Sequence, residues 1–268
     1  MGTMPLYHLP AFYEPFAAMS HLIAAVLFVW LGWLLLRRGR GDRRRTLLLA
    51  LYSFSCIFQF SMSAGYHMLV RGSTAHRVLG RLDHTAVFLL IVGIFTPIYA
   101  LRYRGPLRRT IIAATWLSAI AGILFTTILA NTASDGVRLA LYQAIGWSGL
   151  IAIIDIWRRD GFVIVWPLLA GSIMMSLSAL ADQLGWPVLV PGVIHSHEVF
   201  HIILLIGAIH QWLFMWELAR GSAAGRRLSS SRSPALTPAA ASSAASQRRR
   251  DAGQRALAPR CDSPALTR

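Results

Sequence analysis

Of the chain's 268 residues, 55% are hydrophobic and 14% are charged, against about 25% charged in an average soluble domain; this excludes an ordinary soluble fold. The formal net charge of +15 does not mark a nucleic-acid binder, which gathers its basic residues on one folded face with a motif of its own; here all 26 basic residues are Arg, and 16 of them fall between apolar windows. Two cysteines, Cys56 inside an apolar window and Cys261 near the C-terminus, exclude a disulfide framework and a cysteine-based metal site.

A helix needs roughly 20 apolar residues to cross a hydrocarbon core of about 30 Å. Seven windows of that kind follow one another, over residues 17–36, 46–69, 84–101, 110–129, 139–157, 161–181 and 195–218. They predict an all-α polytopic membrane protein, a seven-transmembrane helical bundle over residues 17–218. A short segment, residues 1–16, precedes it, and a tail rich in Ser, Ala, Pro and Arg, residues 219–268, follows. That tail holds too little apolar surface to offset the entropy of ordering and reads as disordered. Residues 1–16 carry no Lys or Arg ahead of the first window, so the window reads as a span rather than a cleaved signal. Neither an internal repeat nor a pair of inverted halves is visible.

Arginine placement predicts orientation. The first, third and fifth loops carry 6, 4 and 2 arginines, while the N-terminal segment and the second, fourth and sixth loops carry 0, 3, 1 and 0. With the tail counted only as far as Arg232, the balance is 16 to 4. By the positive-inside rule the N-terminus is exported and the tail is cytoplasmic, at the cell membrane. The tail's Arg226-Arg227 and Arg248-Arg249-Arg250 would be drawn to anionic lipid, by roughly 1 kcal/mol for each residue held near the surface. Membrane lipids are the expected partners, and nucleic acid is not.

Ionisable side chains within spans are functional candidates by default, and alternating topology puts most of them at one membrane face. Glu14 and His21 lie where the first span begins, His67 where the second ends, Asp83 and His84 where the third begins, and His195, His197 and His201 where the seventh begins. His197 and His201 are four residues apart, which puts both imidazoles on one side of a helix. His67 comes from another helix at similar depth, and three imidazoles with one open position describe a catalytic zinc site. Asp83 is the nearest carboxylate by topology, suited to hold or deprotonate a water there, and Ser63, one turn before His67, suits a supporting role behind the ligands. His195 points to another side of its helix and reads as rim. Taken singly, His8, His76 and His210 read as ordinary core or interfacial side chains.

These residues also carry a resemblance. Ser63-Ala64-Gly65-Tyr66-His67, then Arg81-Leu82-Asp83-His84, then Gly93-Ile94-Phe95-Thr96-Pro97 resemble the second and third spans of bacterial haemolysin III proteins. His197-Glu198-Val199-Phe200-His201, with His210 beyond it, resembles their last span. The same blocks mark the wider progestin and adipoQ receptor family, which includes the adiponectin receptors and is related to alkaline ceramidases. The resemblance runs from about Glu14 to Trp212. It implies seven helices, zinc held at His67, His197 and His201, water held near Asp83 and, for eukaryotic members, hydrolysis of lipid amides such as ceramide. The family's opening motif has Glu, Asn and His, and this chain keeps Glu14 and His21 but has Ala17 in place of Asn. Adiponectin receptors are described with a cytoplasmic N-terminus, the reverse of what the arginines predict here.

Four functions compete at this level. The first is a zinc-dependent hydrolase of lipid amide or ester bonds, with Asp83 as base. A second is a sensor of membrane state, in which the zinc is structural. A third is an intramembrane metalloprotease, because His197-Glu198-Val199-Phe200-His201 matches the pattern whose Glu is the base; an acidic residue at a helix N-terminus is equally well explained by the helix dipole. The last is a cytolytic pore, which needs a polar stripe running on through several spans, and apart from Ser, Thr and Gln residues such as Gln59 and Gln143 none continues below the histidines.

Overall fold

The computed structural model describes residues 14–128, 134–191 and 194–220. They form eight helices: α1 (Pro15–Gly39), α2 (Arg43–Met68), α3 (Thr74–Arg102), α4 (Gly105–Ile128), α5 (Asp135–Trp147), α6 (Leu150–Asp160), α7 (Phe162–Gln183) and α8 (Ser196–Ala219). α5 and α6 are two halves of one span, so seven segments are long and apolar enough to cross a membrane. The expected seven-span, all-α architecture is what the chain adopts. The tail read as disordered lies outside the described residues beyond Arg220, as do His8 and Cys261.

Local chemistry sets the helix starts. Pro15 opens α1, where a missing N–H costs nothing. The side chains of Asp42, Ser73 and Ser134 accept from the N–H groups of Arg45, His76 and Val137, at 3.1, 3.0 and 3.4 Å, satisfying donors that the first turn leaves over. Gly161, at φ +91°, takes a backbone conformation closed to most side chains, so α6 stops and α7 begins within one residue.

Two expectations need correction. The third helix begins at Thr74 rather than at residue 84, because Ser73 caps it and its first turns, with Arg77 and Arg81, are polar and invisible to an apolar window. Asp83 and His84 therefore sit well inside α3 rather than at its start. The fifth span starts at Asp135 rather than at residue 139, which takes Arg138 out of the loop, and it is broken between Trp147 and Leu150. There Gly149 donates to Gly146 O at 3.2 Å in a single tight turn. A Cβ on Gly149 would collide with the Phe95 ring, so the break lets α3 press against this span.

Packing follows from side chains small enough or apolar enough to meet. Phe28, Tyr52, Phe60, Ile98, Phe214 and Met215 are fully buried at the centre of the bundle. A Cβ on Gly171 would stand 2.6 Å from Gly207 O, so the backbones of α7 and α8 touch, as small residues allow inside a membrane. Hydrogen bonds also tie the helices to one another: Trp212 Nε1 donates to Leu31 O at 3.1 Å, Arg38 Nε to Trp216 O at 3.1 Å and Arg44 Nη2 to Ala100 O at 2.8 Å. The outer surface is apolar instead of charged, with Ile23, Val26, Val29 and Trp33 exposed along α1.

Candidate metal centre

The alternating helices bring the starts of α1 and α8 and the end of α2 together, and Glu14 N–H donates to His67 O at 3.1 Å. On α2, Gln59, Ser63 and His67 recur every four residues and are all buried, forming one inward stripe. On α8, His197 and His201 face that stripe. The ligand nitrogens of His67, His197 and His201 all lie within 4.8 Å of one another.

The geometry fits a metal ion. His197 Nε2 stands 3.4 Å from His67 Nε2 and 3.0 Å from His201 Nε2. Nitrogens about 2.0–2.1 Å from a tetrahedral zinc stand roughly 3.4 Å apart. The other ring nitrogens show why Nε2 is available. His67 Nδ1 bonds to Glu14 Oε2, and His197 Nδ1 lies 3.2 Å from Asp182 Oδ2. An ionised carboxylate only accepts, so each partner assigns the proton to Nδ1 and leaves Nε2 as a lone pair. Two lone pairs aimed at each other across 3.4 Å repel unless a cation or a proton stands between them. His201 Nδ1 is buried and has no hydrogen-bond partner, so this ring too has only its Nε2 engaged with the cluster.

The carboxylates behind the imidazoles are themselves held. Arg71 Nη2 donates to Glu14 Oε1 at 2.5 Å. Burial would raise the Glu14 carboxyl, but its hydrogen bonds with His67 and Arg71 and the Arg71 charge hold it below the usual carboxylate range. It is thus ionised, as the Nδ1–H of His67 requires. Asp182, in the last turn of α7, also lies 3.4 Å from Ser196 Oγ. Such carboxylate–histidine pairs fix the ring orientation at metal sites and raise ligand basicity.

Asp83 shares the space in front of the cluster. A cavity of about 660 Å³ is lined by the three histidines, Asp83, Ser63 and Gln59 together with apolar residues of α3, α6, α7 and α8. Gln59 Nε2 donates to Asp83 Oδ1 at 3.0 Å. Ser63, buried one turn before His67, lines the same space. His84 Nδ1 is 4.0 Å from Asp83 Oδ2. His21, fully buried, stacks on His201 with ring centroids 3.8 Å apart.

All five predicted site residues thus gather at one cavity. The sequence reading did not name Asp182, although it lies just past the sixth window and, by alternation, on the histidine face. It named Glu14 without a partner and Gln59 without Asp83. Glu198 also lines this cavity, but it is buried and its Oε2 accepts from the His195 backbone N–H at 2.9 Å, closing the first turn of α8. His195 is the residue that precedes that helix.

A model of the family described as haemolysin-III related matches residues 11–212. The chain is 28% identical to Hemolysin-3 of Bacillus cereus over 196 residues, 71% of this chain and 84% of that protein. It is also 28% identical to the heptahelical transmembrane protein ADIPOR2 of Oryza sativa subsp. japonica over 170 residues, 57% of this chain and 73% of the plant protein. With the seven spans, a histidine triad that could hold a metal ion and a family match over most of its length, the chain belongs to the haemolysin-III related family of multi-pass membrane proteins.

Proposed function

We propose that this protein is a zinc-dependent membrane hydrolase of lipid amide or ester bonds. The observation that carries this reading is the convergence of three imidazole Nε2 atoms in the same largely apolar cavity as a carboxylate, Asp83, that is not among the three ligands. His67, His197 and His201 would hold the ion, which supplies the Lewis acidity that activates water and polarises a carbonyl near neutral pH. Asp83 takes the proton from the attacking water and passes it to the departing nitrogen or oxygen. Gln59 holds the Asp83 carboxylate, Ser63 lines the same space, and Glu14 and Asp182 hold the rings of His67 and His197. Leu90, Ile94, Phe95, Ile153 and Leu168 line the cavity and suit an alkyl chain better than a peptide.

Glu198 lines the same cavity but is committed to the His195 backbone N–H at 2.9 Å, closing the first turn of α8, which weighs against the protease reading, in which that carboxylate takes the proton of the attacking water. The sensor reading uses the same zinc as a pin between α2 and α8. In either case we place the N-terminus and the metal face outside the cytoplasm and the arginine-rich tail inside it, against anionic lipid. The experiment is metal analysis of the purified protein, followed by release of fatty acid from a fluorescent ceramide analogue and from an ester analogue. About one zinc per chain with turnover supports the hydrolase. Zinc without turnover on either lipid, with cellular function intact in Asp83→Asn, turns the reading to the sensor.

A further inference from the structure

The segment between α7 and α8 is unlike a water-facing loop. From Leu184 to Ile194 it contains no Asp, Glu, Lys or Arg. Leu184, Trp186 and Leu189 are 72%, 72% and 62% exposed, and Val188 and Val190 are exposed as well. A run of large apolar side chains of this kind marks an interaction surface.

Two observations say what covers it. The first is continuity with the lipid-facing belt of the bundle. Ile173, Leu177 and Leu180 are exposed along α7 at spacings of four and three residues, and Leu184, four further on, extends the same face. The stripe therefore runs off the end of the helix into the segment. The second is the backbone. The N–H groups of Leu184, Gly185 and Trp186 donate to Leu180 O, Asp182 O and Ala181 O at 3.0, 2.9 and 3.0 Å. Those of Leu189 and Val190 donate to Ile194 O at 3.0 and 3.1 Å, and Pro187 and Pro191 have none to offer. Pairing of backbone donors within the protein favours placing chain at membrane depth; the N–H of Val188 has no such partner among the described residues, which suits the hydrated headgroup boundary rather than the hydrocarbon core, and Trp is favoured at that boundary.

We propose that residues 184–190 are embedded in the headgroup boundary of the lipid leaflet on the metal-bearing side, as an interfacial anchor. The surface it binds is the bilayer itself. The segment leaves α7 directly after Asp182 and Gln183 and leads toward His195, and all three line the cavity. The anchor thus fixes the cavity rim, and the carboxylate that orients His197, at the depth of that leaflet. The inference rests on exposure and hydrogen bonding alone and stands whether or not the protein is a hydrolase.

The test is nitroxide depth measurement on the full chain, with Cys56→Ala and Cys261→Ser, in phosphatidylcholine–phosphatidylglycerol vesicles. Single cysteines replace Trp186 and Leu189 in separate variants, so that one misfolded variant leaves the other to decide. Leu177→Cys on the lipid face of α7 and Arg77→Cys at the polar start of α3 set the two ends of the scale. Labels at 186 and 189 are expected to collide with oxygen several-fold more often than with a water-soluble nickel chelate, as at 177. Chelate collisions matching those at 77 overturn the proposal in favour of a water-facing loop. Spin–spin broadening between labels overturns it in favour of contact with a second copy.

Discussion

Gln59 and Asp83 come from different helices, and the Gln59 amide donates to the Asp83 carboxylate at 3.0 Å. The bond crosses from α2, which carries His67, to α3, so the proposed base is positioned by the helix that holds one proposed ligand. Gln59→Leu keeps similar bulk and removes the donor. A hydrogen bond to a charged group contributes about 1.5–3 kcal/mol, so turnover should fall roughly 10- to 100-fold. Zinc content should be unchanged, because Asp83 is not a ligand. A kcat equal to wild type would remove Gln59 from the proposed machinery.

Asp83 and Glu198 make opposite forecasts for the two hydrolytic chemistries. Asp83→Asn should retain zinc and lower lipid turnover by about 10²–10⁴-fold, the usual worth of a general base. Glu198→Gln keeps an oxygen for the His195 N–H and should leave turnover unchanged. Side-by-side assays with a ceramide analogue and a peptide decide the matter, since a protease requires the reverse ranking.

Asp182 supports His197 from behind, at 3.2 Å from Nδ1. Loss of such a partner typically lowers metal affinity about 10- to 100-fold. Asp182→Ala should therefore release zinc to a competing chelator at a correspondingly lower chelator concentration, with helical content preserved. Glu14→Gln should act in the same direction through His67. An unchanged zinc dissociation constant in both variants would show that the carboxylates do not tune the site.

Zinc would tie α2 to α8, so its removal should lower stability. A ligand at a hundredfold excess over its Kd stabilises by about 2.7 kcal/mol, equivalent to roughly 5–10 °C for a domain of this size. Chelation, or His197→Ala with His201→Ala, should lower the thermal midpoint by that amount, and added zinc should restore it only in the chelated wild type. Full zinc occupancy in the double variant would sink the site.

Orientation can be read with a thiol reagent. Cys56 is fully buried in the bundle, so in a Cys56→Ala background Cys261 is the single target. With a cytoplasmic tail, an impermeant maleimide should label it in permeabilised cells and not in intact ones. Labelling in intact cells would reverse the topology and put the histidines on the cytoplasmic side.

The number of spans, their alternation and the gathering of histidines at one face were legible in the sequence. These are local properties, carried by apolar run length and by the four-residue spacing of His197 and His201 on one helix. Helix ends with polar turns escaped it, as at Thr74, and so did the break before Leu150, because an apolar window registers composition and not the hydrogen bonds that start or stop a helix. Which carboxylate stands behind which imidazole follows from helix packing. The pairs Glu14–His67 and Asp182–His197, and the bond from Gln59 to Asp83, depend on how each helix is rotated about its axis and how closely it packs. Rotation and approach are set by contacts such as Gly171 against Gly207, between segments far apart in the chain, and no one-dimensional pattern records them.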